Sequence, residues 1–99
     1  MIDFRVSPET ASDLEEIWNF IAQDNPIAAN RVIEQILDVF RRLADTPRMG
    51  RQREELAAGL RSHPFGNYII LYKIRGEYIE ITRIIHSARN LHAIFHPDH

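Results

Sequence analysis

The chain has 99 residues, 44% of them hydrophobic and 26% charged, which fits one domain (1–99) with a single modest core and leaves no room for a second. It contains no cysteine, and this excludes disulfides, thiol catalysis and thiolate metal sites. The net charge of −2 is unevenly spread: residues 1–30 carry six acids against the lone Arg5, and residues 46–89 carry eight bases against four acids, so an acidic partner or a polyanion would be drawn to the later segment.

Ile2–Val6 alternates apolar and polar residues, as a short strand does. Ser7-Pro8-Glu9 then reads as a helix start, with a capping hydroxyl, proline in the first turn and an acid at the positive end. Ala11, Leu14, Ile17, Trp18 and Ile21 follow at helical spacing, so Trp18 is expected in the core. Asp13, Glu15, Glu16 and Asn19 are expected on the solvent face. Asp24-Asn25-Pro26 breaks this helix and starts a second, whose apolar face runs from Ala29 through Ile36 and Phe40 to Leu43. So short a connection predicts an antiparallel helix hairpin. Residues 48–59 are polar and arginine-rich and read as a surface loop, with a short turn near Glu54–Ala58. Three strands follow: Leu60–Phe65, placed at an edge by Pro64, then Tyr68–Ile74 and Tyr78–His86. Residues 87–95 suit a last helical turn or two, and 96–99 a loose tail. The order β-α-α-β-β-β predicts an α+β domain, a helix hairpin packed on one face of a mainly antiparallel three- to four-stranded sheet. No apolar run approaches the roughly 20 residues of a membrane span, and the opening MIDFRV lacks the pattern of a signal peptide, so a cytoplasmic protein is expected.

Strict alternation puts Ile79, Ile81, Arg83 and Ile85 on one side of the last strand. A charge among isoleucines must reach solvent or an acid, either Glu80 or one from the helix hairpin. In the middle strand Tyr68, Ile70 and Tyr72 share one face, Ile69 and Leu71 the other, so both faces need a cover. The second cover is expected from residues 87–95 or from another protein. His86 is open to two readings, a proton carrier or a strand end bonded to nearby backbone. His92, His96 and His99 have helical spacing, but no metal is expected of a trio in a loose tail. Ser62 beside His63 makes no nucleophile and base, and no glycine-rich phosphate loop is present. No cofactor is expected.

Leu14-Glu15-Glu16-Ile17-Trp18, Pro47-Arg48-Met49-Gly50-Arg51, Gly59-Leu60-Arg61-Ser62, Tyr68-Ile69-Ile70-Leu71-Tyr72 and Ile81-Thr82-Arg83-Ile84-Ile85-His86-Ser87-Ala88-Arg89-Asn90 occur in this order over nearly the whole chain. In these blocks it resembles the ParE branch of the RelE/ParE superfamily, the toxins of bacterial type II toxin–antitoxin operons. The resemblance implies a toxin that inhibits DNA gyrase and blocks replication, acting by binding rather than by chemistry of its own. It also implies a cognate ParD-like antitoxin whose C-terminal segment folds on the toxin in a hetero-oligomeric complex. It implies no sequence-specific DNA binding by this chain. The contact surface expected for target or antitoxin is Arg61, Tyr68, Tyr72, Arg83, His86 and Arg89. The alternative is a ribosome-dependent mRNA endonuclease of the RelE type, with Arg61 and Arg83 on phosphate and His86 moving protons. No tyrosine follows Tyr78 and the one lysine is Lys73, so only histidine would remain for proton transfer, which favours the gyrase expectation.

Overall fold

The computed structural model describes residues 3–98. Ile2, expected to open the first strand, and His99 of the expected tail lie outside these residues. The order is β1 (Asp3–Val6), α1 (Pro8–Ala22), α2 (Pro26–Asp45), a 3-10 turn (Pro47–Met49), β2 (Arg51–Gln52), β3 (Leu60–Phe65), β4 (Tyr68–Arg75), β5 (Tyr78–His86) and α3 (Leu91–Phe95). The strands form one sheet in the order β1-β5-β4-β3-β2. β1 runs parallel to β5 and the other neighbours are antiparallel. The α+β class and the helix hairpin stand as expected. The sheet has five strands, because the two residues of β2 pair with β3 inside the stretch read as loop.

Both long helices start as their sequences dictate. The Ser7 hydroxyl accepts from the Thr10 N–H at 3.0 Å, and the Asn25 side chain accepts from the Ala28 N–H at 3.0 Å, with Pro8 and Pro26 in the first turns. α2 buries Ile36, Phe40 and Leu43 against Ile70, Tyr72, Ile79, Ile81 and Ile84 of the sheet. Part of the opposite sheet face is covered from within the chain. Leu56 of the 53–59 segment and Leu91 of α3, flanked by Ile94 and Phe95, close over Leu60, Leu71 and Ile85. His96, expected in the loose tail, is half-buried and its Nε2 lies 3.0 Å from the Glu55 carbonyl.

Two further expectations change here. Strict alternation fails in β5: Leu71 pairs with Arg83 and Tyr72 with Ile81, so Thr82 is an extra residue without a partner across the ladder. This bulge reverses the parity, and Ile84 joins Ile79 and Ile81 under the helices while Ile85 turns to the second face. Trp18 is not in the core. It is 37% exposed, and its indole N–H donates to Asn30 Oδ1 at 2.7 Å across the outside of the hairpin.

Tyr72 is fully buried, and its hydroxyl donates to the Pro47 carbonyl at 2.6 Å and accepts from the Gly50 N–H at 2.9 Å. Its ring therefore ties the turn after α2 to the middle of the sheet. Burial pushes the phenol above its ordinary value. A raised folded pKa means that the native state holds this proton more tightly than the unfolded chain. Stability is complete below the unfolded value near 10 and falls as pH rises through the folded value. Urea unfolding above about pH 10 is expected to show this loss, and Tyr72→Phe to remove the part due to this phenol along with the two hydrogen bonds.

Candidate functional site

β5 extends further than its parallel neighbour: β1 ends at Val6, opposite Ile81, and β5 continues to His86. The strand edge left bare must be satisfied, since buried backbone groups do not stay unpaired. The first turns of α1 supply the partners. The Ser7 N–H donates to the Ile81 carbonyl at 3.1 Å and its hydroxyl to the Thr82 carbonyl at 3.0 Å. The Thr10 hydroxyl donates to the Ile81 carbonyl at 2.9 Å, and Asp13 Oδ2 accepts from the Ile84 N–H at 2.9 Å. Ser7, Thr10 and Asp13 stand three residues apart on one helix face and are all buried.

Asp13 also receives Arg83 through two parallel bonds, from Nε at 2.8 Å and from Nη2 at 3.0 Å. The carboxylate thus accepts three hydrogen bonds, from both the backbone and the side chain of β5. The charge predicted to need a partner finds it on the helix hairpin. The predicted solvent position of Asp13 is corrected: its side chain is only 9% exposed, against 30% for that of Arg83. The Asp13 hydrogen bonds hold the guanidinium above its ordinary high pKa, and Glu16 and Glu9 add to the effect.

Beyond this pair a groove of about 160 Å³ opens between α1 and the end of β5. Ile17, Phe20 and Tyr68 form its apolar wall, Arg83, Arg89 and His86 its basic side, and Asp13 and Glu16 its acidic floor. Phe20 is 67% exposed there. The His86 ring meets Tyr68 edge-on at 5.4 Å, and its Nδ1 accepts from the Ala88 N–H at 3.1 Å. That bond occupies the basic nitrogen of the neutral ring and leaves the other as a donor.

Four of the six residues expected at a contact surface, Tyr68, Arg83, His86 and Arg89, line this one groove. Arg61 and Tyr72 stand apart from it. Arg61 donates through Nη1 to the Gly50 carbonyl at 2.8 Å and the Arg48 carbonyl at 3.3 Å, fastening the turn before β2. Tyr72, expected at the contact surface, is a core residue because its face of β4 lies under α2. Asp13, Glu16 and Phe20 were missed as groove residues. No local signal marked Asp13, since a polar stripe spaced like Ser7–Thr10–Asp13 is also what a solvent face shows. Among the described residues no cluster of three or more His, Cys, Asp or Glu could hold a metal ion, and no helix is long and apolar enough to cross a membrane.

Comparison with known proteins gives the family and agrees with the fold. A family described as "ParE toxin of type II toxin-antitoxin system, parDE" matches residues 4–91. The toxin ParE3 of Caulobacter vibrioides is 33% identical over 84 residues, which is 84% of each chain. The toxin ParE1 of the same organism is 31% identical over 100 residues, covering 94% of this chain and 97% of that one. A chain of the chromosomal ParDE toxin–antitoxin system of P. aeruginosa shares the fold with a TM-score of 0.74 at 20% identity, over 87% of this chain and 96% of its own. A chain of the RelBE2 toxin–antitoxin complex of Mycobacterium tuberculosis gives 0.62 at 25% identity, over 86% and 96%.

Proposed function

We propose, from the premise that this chain belongs to the ParE toxin family of type II toxin–antitoxin systems, that it arrests growth by binding DNA gyrase and is silenced by a cognate ParD-like antitoxin in the cytoplasm. The observation that carries the binding reading over RNA cleavage is the state of the three groups a cut would use. Arg83 is spent on Asp13, Arg61 on two carbonyls, and the basic nitrogen of His86 on the Ala88 N–H. A phosphodiester cut needs a free base for the attacking hydroxyl and free cations for the developing charge. The acids Asp13 and Glu16 beside Arg83 would also repel the phosphate.

The groove suits a protein contact. It offers a half-buried tyrosine and an exposed phenylalanine beside arginine, the residue types that anchor interfaces. The two solved structures that share the fold come from toxin–antitoxin systems, which supports an antitoxin partner for this chain.

Induced expression without antitoxin tests the reading. DNA synthesis is expected to stop before protein synthesis, and the purified chain to inhibit supercoiling by gyrase. Phe20→Ser with Arg89→Glu, both at exposed positions, is expected to weaken that inhibition by at least about tenfold, the effect of losing one contact worth about 1.4 kcal/mol. Translation stopping first, with translated mRNA cut, would replace the gyrase reading with the endonuclease one.

A further inference from the structure

The sheet ends in two edges of different character. At one edge β2 is two residues long, and Pro64 interrupts the part of β3 that it leaves uncovered. Arg48 and Arg51 stand exposed there, like charges that hold a second copy off. At the other edge β1 is paired on one side only. The Asp3 N–H donates to the Glu77 carbonyl at 3.3 Å and the Ser7 N–H to the Ile81 carbonyl at 3.1 Å, so residues 3, 5 and 7 address β5. The N–H and C=O groups of Phe4 and Val6 therefore point away from the sheet. No strand meets them, and the Phe4 N–H turns to the Asp3 carboxylate beside it at 2.8 Å. Val6 is 36% exposed, and β1 has neither a proline nor a bulge to guard it.

The side chains of this edge are self-complementary. Phe4 packs into the core beside Phe40, so Asp3 and Arg5 lie on the opposite sheet face. Neither forms an ion pair among the described residues. The Arg5 guanidinium rests over the Tyr78 ring, 3.9 Å from its centroid, which fixes its place. Charges guard an edge when they are alike, and here the signs alternate. Two copies related by a two-fold axis would run their β1 strands antiparallel. Phe4 opposite Phe4 of the second copy sets Asp3 against Arg5 twice, once on each side of the axis. The outward N–H and C=O of the two Phe4 residues then bond to each other, and Val6 meets Phe4 of the second copy diagonally on the helix side. Sliding the strands by two places either way sets Arg5 against Arg5 or Asp3 against Asp3, so charge selects one register.

We propose that β1 is a homodimerisation edge, through which two copies of this chain pair by residues 3–6 into one continuous sheet. The balanced charge of the edge favours a second copy, since a segment of one sign would meet Asp3 as well as Arg5. The inference does not depend on gyrase being the target.

Sedimentation velocity of the purified chain over about 5–500 µM provides the test, because a contact of this size associates in the micromolar range or more weakly. The parent is expected to pass from monomer towards dimer across this range. Arg5→Asp sets acid against acid twice and Asp3→Arg base against base, and each is expected to weaken association at least about tenfold. An equimolar mixture of the two variants is expected to dimerise as the parent does, because both cross-strand pairs are then Asp against Arg. Val6→Pro removes an outward N–H and none that addresses β5, and is expected to abolish the dimer. Circular dichroism verifies that each variant folds. Where a charge variant does not fold, the amide shifts of the parent against concentration decide: movement centred on Phe4 and Val6 supports the proposal, and movement elsewhere overturns it. A parent that stays monomeric at about 500 µM, folded charge variants that dimerise as it does, or a mixture of folded variants that stays monomeric would each overturn it.

Discussion

Asp13→Ala is expected to destabilise the fold by about 2–4 kcal/mol, because one carboxylate closes both the edge of β5 and the charge on Arg83. Its removal leaves the buried Ile84 N–H unpaired, a loss of about 1–3 kcal/mol. The ion pair adds less than the roughly 3–5 kcal/mol of a fully buried pair, since the Arg83 side chain is 30% exposed and water screens it. For a domain of this size, each kcal/mol lowers the melting temperature by roughly 4–8 °C, so thermal unfolding reads the effect directly. Asp13→Asn keeps an acceptor for the Ile84 N–H and is expected to fall about midway. A double-mutant cycle with Arg83→Ala should give a coupling of roughly 1–3 kcal/mol. A loss below about 1 kcal/mol in Asp13→Ala would mean that another group closes the strand edge.

Gly50→Ala carries the second large effect, about 3 kcal/mol. A Cβ at this position would lie 2.7 Å from Cε1 and 2.8 Å from Cζ of Tyr72, closer than carbon atoms approach. The φ of Gly50 is −72°, an ordinary backbone for any residue, so the cost is contact alone. Tyr72 has little room to yield, because it is fully buried and both hydrogen bonds of its hydroxyl end in the turn that contains Gly50. Overpacking of roughly 1–3 kcal/mol adds to two weakened hydrogen bonds at about 1 kcal/mol each. Tyr72→Phe removes the same bonds but keeps the packing, and is expected to lose less, about 1–2 kcal/mol. Urea midpoints of the two variants check the order. Gly50→Ala proving milder than Tyr72→Phe would contradict the close contact.

Helix starts and strand limits were legible because their causes are local. Ser7-Pro8 and Asn25-Pro26 cap and open their helices through atoms three residues away. β3 and β4 end just before Gly66 and Gly76, which take the positive φ that their turns require. β2 was not legible, since two residues carry no periodicity and pair only because β3 lies beside them. The bulge at Thr82 escaped for a related reason: alternation assumes a regular ladder, and the extra residue is defined by its absent partner on β4. Of the groove, the aromatic and basic residues of β4, β5 and the segment after β5 were visible from strand pattern and charge. The α1 contribution was not, and Arg61 and Tyr72 were credited to a surface while their side chains fasten the turn between α2 and β2.

The sequence by itself determined the types and order of the longer elements, the helix hairpin and the α+β class, all properties of spacing and of capping groups within a few residues. Which way α1 faces was decided only in three dimensions. Its most apolar stripe runs Leu14–Trp18–Ile21, yet the buried stripe is Thr10–Asp13–Ile17. The helix is turned because β1 is only four residues long, leaving the Ile81, Thr82 and Ile84 backbone groups of β5 to be satisfied by Ser7 and by α1 side chains. An unpaired buried backbone group costs more than leaving part of an indole in water, so Trp18 moved to the rim and Asp13 came inside to hold Arg83 at the groove.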